Sequence, residues 1–177
     1  MAEKIGSGGQ PQKFDKENGQ YLPDNIEKMS AIELSNEIKV NLSTKDKVNS
    51  VKIERGKNNI LPELSQDSLD KMNVRTNKKV LVKSSIVERN SERHKDVIFD
   101  TNKILGEVLY SPEDIFKGNK EKPYYTFSKP MRLSKKDGEQ MYGLVLLDID
   151  DKKQYFEVVH WHWIGMEDIL EMKEKFK

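Results

Sequence analysis

Two extended runs near the end of the chain leave it few ways to fold. Residues 141–149 form a near-continuous apolar stretch around Leu144-Val145-Leu146-Leu147, and residues 155–164 form a second extended run. A polar turn at 148–152 separates them, and the segment 124–129 reads as a third strand just before. Connections this short favour an antiparallel meander. The last run, Phe156-Glu157-Val158-Val159-His160-Trp161-His162-Trp163, holds two of the three histidines and both tryptophans. In an extended chain successive side chains point to opposite faces. That count puts His160 and His162 on one face and Val159, Trp161 and Trp163 on the other. The tryptophans belong to the core, so the imidazoles look toward a groove or solvent. Glu157 falls on the tryptophan face, a poor place to meet His160 unless a bulge intervenes.

Upstream, helical signals dominate. The segment 64–72 reads as a short helix capped at Ser65, and Val80-Leu81-Val82 as a short strand. Ser84 or Ser85 opens a helix reaching His94, with Ile86 and Val87 buried. Asp100 or Thr101 opens another, with Ile104, Leu105, Val108 and Leu109 apolar; Ser111-Pro112 ends it, because the residue before proline avoids helical angles. A closing helix covers 166–176. The expected fold is α+β: N-terminal helices packed on a three- to four-stranded antiparallel sheet, closed by a C-terminal helix.

The chain divides by composition. Residues 1–23, with Gly6-Ser7-Gly8-Gly9-Gln10-Pro11, read as a flexible leader. Residues 24–59 read as a helix plus a polar linker. Ile26, Met29, Leu34 and Ile38 share a face of the helix, and Ser30 with Glu33 makes a capping box. Val51-Lys52-Ile53 is a short strand or irregular. The compact domain is expected over 60–177. Charged residues make up 34 % and the net charge is +1, so any basic surface must be local. There is no cysteine, hence no disulfide framework and no thiolate metal site. No apolar run approaches the ~18 residues of a membrane span, and the N-terminus lacks the apolar core of a secretory signal. The expectation is a cytoplasmic protein with no membrane partner.

On the helix Ser85-Ile86-Val87-Glu88-Arg89-Asn90-Ser91-Glu92-Arg93-His94, Arg89 and Arg93 are four apart, as are Asn90 and His94 on the adjacent stripe. Guanidinium forks grip phosphate oxygens. Imidazole exchanges protons near neutral pH. The plainer reading is a solvated helix face with the arginines paired to Glu88 and Glu92. His160 and His162 have three readings: acid–base or phosphate chemistry, zinc binding together with His94, or rings hydrogen-bonded to backbone. In Lys122-Pro123-Tyr124-Tyr125-Thr126-Phe127-Ser128-Lys129, aromatics alternate with hydroxyls and lysines, a pattern suited to stacking bases and holding phosphate. Phe127 reads as core; Tyr124 and Tyr125 stay open. Asp148, Asp150 and Asp151 read as a solvated turn.

Taken in order, several motifs resemble a phage-associated nuclease-like domain. They are Val80-Leu81-Val82-Lys83, Ile86-Val87-Glu88-Arg89-Asn90 with Arg93-His94, Leu109-Tyr110-Ser111-Pro112, Lys122-Pro123-Tyr124-Tyr125 and the run from Phe156 to Trp163. That domain is grouped with the barnase, EndoU, colicin-type tRNase and RelE superfamily. Such domains occur in phage head-morphogenesis proteins and in large polyvalent proteins of mobile elements. The resemblance covers roughly residues 60–177. It implies helices followed by a four-stranded antiparallel sheet, and a metal-independent endoribonuclease, a toxin or effector, leaving a 2′,3′-cyclic phosphate without any cofactor. Carried over, it gives His94, His160, His162 and Arg93 as catalytic residues. Arg89 joins them from the helix edge, and Lys83, Asn90, Tyr124, Tyr125, Ser128 and Lys129 are the expected substrate contacts. The expected partners are RNA, with tRNA one candidate, and an immunity or antitoxin protein. The alternative is a non-catalytic RNA- or protein-binding module on the same fold.

Overall fold

The computed structural model describes residues 14–15, 20–21 and 42–176. The chain separates into two units, 1–43 and 44–177. In the first, strands β1 (Phe14–Asp15) and β2 (Gln20–Tyr21) pair antiparallel. The helix expected over 24–40 and most of the expected leader lie outside the described residues.

The second unit is built on one six-stranded sheet. In chain order its elements are α1 (Thr44–Ser50), β3 (Asn59–Leu61), α2 (Gln66–Met72), β4 (Val80–Val82), α3 (Ser84–Arg93), a 3-10 segment (Lys95–Asp100) and α4 (Thr101–Tyr110). There follow β5 (Asp114–Lys117), β6 (Tyr124–Leu133), β7 (Gln140–Asp148), β8 (Phe156–Gly165) and α5 (Met166–Lys175). The strand order is β3-β4-β8-β7-β6-β5. The expected meander is there, with β6, β7 and β8 antiparallel. The sheet is wider than expected and mixed, since β4 runs parallel to β8. The two added strands carry weak signals. In β3 the buried Asn59 breaks any alternation, its amide satisfied by the carbonyls of Glu54 and Lys57. In β5 all four residues are half-buried.

Local rules explain both ends of α2. The Ser65 hydroxyl accepts the Ser68 amide, which starts α2. At its end Asn73 takes a left-handed conformation, and Val74 N–H reaches back to the Leu69 carbonyl. Lys83 stands at the N-cap of α3 and Ser84 is already helical, so neither Ser84 nor Ser85 caps it.

One sheet face carries the main core. Phe156, Val158 and Trp161 of β8, Val145 and Leu147 of β7 and Phe127 of β6 pack against Ile104, Leu105, Val108 and Leu109 of α4. Close approach here needs glycine: a Cβ on Gly143 would fall 2.9 Å from Val108 Cγ2. On the other face a smaller cluster joins Leu144 and Ile164 to Ile169 of α5. An ion pair between Lys173 and Asp114 ties α5 to the β5 edge.

The stretch 41–59, read as polar linker, contains α1, and Val51 behind it is buried. Residues 51–53 are irregular, with the Ile53 amide donating to Asn102 Oδ1 at 2.8 Å. The seat of α1 on α4 is tight, because a Cβ on Gly106 would lie 2.6 Å from the Val48 carbonyl oxygen. Gly106→Ala is therefore expected to destabilise the domain by about 1–3 kcal/mol despite alanine's better helix propensity. Urea unfolding midpoints check this; an unchanged or raised midpoint contradicts the tight seat of α1.

Candidate active site

The strand β8 does not alternate evenly. Leu146 pairs with His160 and Leu147 with Val158, so Val159 is an extra residue in a β-bulge. Phe156 and Val158 before the bulge, and Trp161 and Trp163 after it, all belong to the main core. The expectation that Val159 shares the tryptophan face is corrected, because period-two counting fails across the inserted residue. The same insertion moves Glu157 off the tryptophan face. There it pairs with Lys83 at 3.2 Å and Lys153 at 3.5 Å.

Beside the bulge lies α3. Asn90 is buried, and its Oδ1 accepts the backbone N–H of Trp161 at 3.0 Å. The Trp161 indole N–H donates to Thr101 Oγ1 at 3.2 Å, at the start of α4. The first bond fixes α3 against β8, and the second fixes the start of α4 there. His94, the residue that ends α3, is thereby brought to the imidazoles of the strand. Its ring stacks on His162 with centroids 4.7 Å apart and planes 20° apart. His160 lies 5.3 Å from His162 and 6.3 Å from His94, centroid to centroid. A cleft of about 60 Å³ opens here, lined by Arg89, Asn90, Arg93, His94, Val159 and His160.

The electrostatics are lopsided. Glu88 is engaged by Arg55 through two bonds, the shorter 2.7 Å. Arg89 and Arg93 are exposed and have no ion pair among the described residues. Burial, reinforced by His162, His94, Arg89 and Arg93, pushes the His160 imidazole down to about 4. Burial also lowers His94, as do His162 and Arg93, while Asp96 pulls it back up. The His162 Nδ1 sits 2.9 Å from the Trp163 carbonyl oxygen. A carbonyl only accepts, so this nitrogen carries the proton and, in the neutral ring, leaves Nε2 with a lone pair. The Asn90 Nδ2 is buried without a hydrogen-bond partner. Its identity is set by the bond its Oδ1 makes to Trp161. A buried donor with no acceptor is costly, and an oxyanion in the cleft would satisfy it.

Among the described residues no group of three or more His, Cys, Asp or Glu side chains is arranged to hold a metal ion. The near-parallel stack of His94 on His162 keeps their in-plane lone pairs from meeting at one point, as zinc ligation requires. No helix of the described residues is long and apolar enough to cross a membrane.

Of the residues expected from sequence, the structure brings together His94, His160, His162, Arg89, Arg93 and Asn90. It takes the other expected substrate contacts elsewhere. Lys83 is tied to Glu157. Ser128 is buried in the sheet, and Lys129 pairs with Glu107 of α4 at 2.5 Å. Tyr124 and Tyr125 begin β6 beneath Lys122 and Lys117, whose ammonium groups lie 5.5 and 5.1 Å from the ring centroids. Alternation along β6 leaves no mark of this, since β7 stands between it and β8. Two neighbours of the cluster escape sequence reasoning. Val159 reaches the cleft through the bulge, and Phe99, on the 3-10 segment after His94, is 99 % exposed.

A family model covers this whole assembly. It matches residues 41–176 and describes the large polyvalent protein-associated domain 13. The chain belongs to that family. No curated protein and no solved structure matches the chain. Membership agrees with the expected association with large polyvalent proteins; the family description itself carries no statement of nuclease activity or of a barnase-like superfamily. In this member of the family the match begins ahead of α1 rather than at the expected boundary near Ile60.

The buried imidazole has a consequence for stability. The folded His160 is lowered to about 4 from the ordinary 6.5. Between those values the unfolded chain takes up a proton that the folded chain refuses. Stability is therefore complete above about pH 6.5 and falls as pH drops toward 4, by at most about 3 kcal/mol. Urea midpoints measured across this window should fall less for His160→Gln than for the parent. Equal acid sensitivity in the two proteins would rule out a buried, neutral His160.

Proposed function

We propose that this domain is a metal-independent endoribonuclease that cleaves RNA by attack of the 2′-hydroxyl on the adjacent phosphate. The observation that carries the reading is the cleft itself. Two imidazoles, two unpaired guanidiniums and an unsatisfied buried amide N–H line one small concavity. A phosphodiester in that cleft accepts from Asn90 Nδ2 and pairs with Arg89 and Arg93. His94 and His160 then stand on its two sides. One takes the proton of the 2′-hydroxyl as the oxygen attacks phosphorus; the other protonates the departing 5′-oxygen. The guanidiniums offset the charge gathering on the phosphorane oxygens. A bound phosphate also counters the positive surroundings that depress both imidazoles, so binding raises their basicity where it is needed. His162, stacked on His94 and held by the Trp163 carbonyl, positions that ring. Association with large polyvalent proteins supports the role of an effector.

The test is RNA incubated with the protein in excess chelator, followed by analysis of the new ends. Cyclic phosphate and free 5′-hydroxyl are expected. His94→Ala and His160→Ala should each lower cleavage by ~10²–10⁴-fold. If both variants cleave like the parent, the assignment fails.

A second expectation concerns pH. The charge on His162 depresses both His160 and His94. His162→Gln removes it, so the acidic limb of the rate profile should move to higher pH. A limb that stays in place removes His162 from the site's electrostatics.

One observation favours a second reading, a non-catalytic binding module. Phe99 is 99 % and Ile98 is 38 % exposed, adjacent on the 3-10 segment that follows His94, and apolar side chains left in water suit a protein partner. No cleavage of any RNA, together with tight binding to a protein lost in Phe99→Ala, would support that reading.

A further inference from the structure

The histidine cleft is small, about 60 Å³. A much larger concavity lies at the start of β8, on the side of the sheet where Phe156 enters the core. Its volume is about 840 Å³, within the roughly 300–1,000 Å³ that ligand pockets occupy. Phe156 and His160 are four residues apart on the strand, a span of roughly 13 Å at ~3.3 Å per residue, and they face opposite sides. The two concavities are separate places.

Three segments supply the polar lining of this groove: Arg75 to Lys78 after α2, Lys117 at the end of β5, and Asp150 with Asp151 between β7 and β8. The lining carries three cations, Arg75, Lys78 and Lys117, against two acids, Asp150 and Asp151. Much of the local acid is already used. Asp148 pairs with Lys153 at 2.9 Å, and the Asp150 carboxylate accepts the Lys152 amide at 3.0 Å. Lys78 is used as well, its ammonium donating to the backbone carbonyls of Asp150, Asp151 and Lys153. Two cations remain. Arg75 is exposed and Lys117 is half-buried, and neither has an acidic partner among the described residues. Lys117 rests instead over the face of Tyr125, 5.1 Å from its centroid.

The remaining surface suits a flat ring. Ile149 supplies an apolar floor beside Tyr125, backed by the buried Met72 and Phe156, and Asp151 leaves a carboxylate at the edge. Free cations, an aromatic wall and a hydrogen-bond acceptor are what one nucleotide needs. Cations hold its phosphate, aromatic and apolar faces take its base, and a carboxylate accepts from an amino group on the base edge.

We propose that this groove is a second RNA-contact site, which holds one nucleotide of a single strand apart from the histidine cleft. Arg75 and Lys117 take the phosphate, Tyr125 and the apolar floor take the base, and Asp151 favours a base bearing an exocyclic amine. The polymer named here rests on the RNA reading above, but binding at the groove does not depend on cleavage.

The experiment uses the full chain and a short, fluorescently labelled oligoadenylate with 2′-O-methyl riboses, which cannot be cleaved. Anisotropy titrations at several salt concentrations compare the parent, Arg75→Glu, Lys117→Glu and Asp151→Ala. Each charge reversal should weaken binding about tenfold or more at low salt and flatten the salt dependence by roughly 0.7 for each phosphate no longer neutralised. Oligouridylate, which has no exocyclic amine, should bind more weakly than oligoadenylate, and Asp151→Ala should narrow that gap. Because Arg75 is exposed, its reversal tests the groove even if Lys117→Glu proves unstable. Parent-like binding by the Arg75 variant overturns the proposal. So does equally tight, Arg75-dependent binding of polyglutamate, which would make the groove a site for acidic protein. Binding that is normal in a protein that cleaves no RNA defeats the nuclease reading and leaves the groove standing.

Discussion

The bond from the Trp161 amide to Asn90 Oδ1 decides where every other part of the site lies. Strand β4 pairs with β8 only at Phe156 and Glu157. Beyond that point the outer edge of β8 has no neighbouring strand, and an unpaired edge N–H in a dry setting is costly. Helix α3 closes the gap with a side chain in place of a strand. An asparagine suits the task because one end of its amide accepts from the backbone while the other is left to donate. The left-over donor is the one found unpartnered beside the histidines. One residue thus holds the helix to the sheet and equips the cleft.

That constraint brings five basic side chains together, with Asp96 near His94 as the carboxylate that offsets part of the charge. Arg55 occupies Glu88, and Lys83 with Lys153 occupy Glu157. The positive surroundings are tolerable because the deepest imidazole gives up its proton. A site arranged this way is poised for an anion. It gains favourable charge when phosphate arrives, and its histidines recover basicity at the same moment. The groove at the start of β8 differs in kind. It is broad, and its two free cations stand beside an aromatic wall and an apolar floor. On the readings proposed above, narrow phosphate chemistry and wide base recognition would occupy different regions of one sheet.

Much of the fold could be read in the chain because local physics governed it. The three long strands, the Ser65 cap and the apolar stripe of α4 follow from alternation, capping and 3.6-residue periodicity. The grouping of Arg89 with Arg93 and of Asn90 with His94 also follows from helix spacing. The short strands β3 and β5 were illegible. Three or four residues give no periodic signal, and Asn59 is a polar residue that becomes buried only because carbonyls of its own loop satisfy it. The bulge at Val159 was illegible for another reason: an inserted residue leaves the composition of a strand unchanged and reverses the sense of its alternation. Tyr125, Ser128 and Lys129 looked like a binding strip, yet their surroundings depend on which strands stand beside β6.

The sequence by itself determined the strand-forming runs, the helix carrying paired arginines and the presence of three imidazoles on two elements. Those are properties of neighbours along the chain, set by backbone geometry and side-chain periodicity. Only the tertiary structure decided that the imidazoles meet, that Glu157 leaves the tryptophan face and that Tyr125 borders a separate groove. Each of these depends on a parallel strand pair, a bulge and a hydrogen bond spanning 71 residues, and no local pattern encodes the closing of such a long loop.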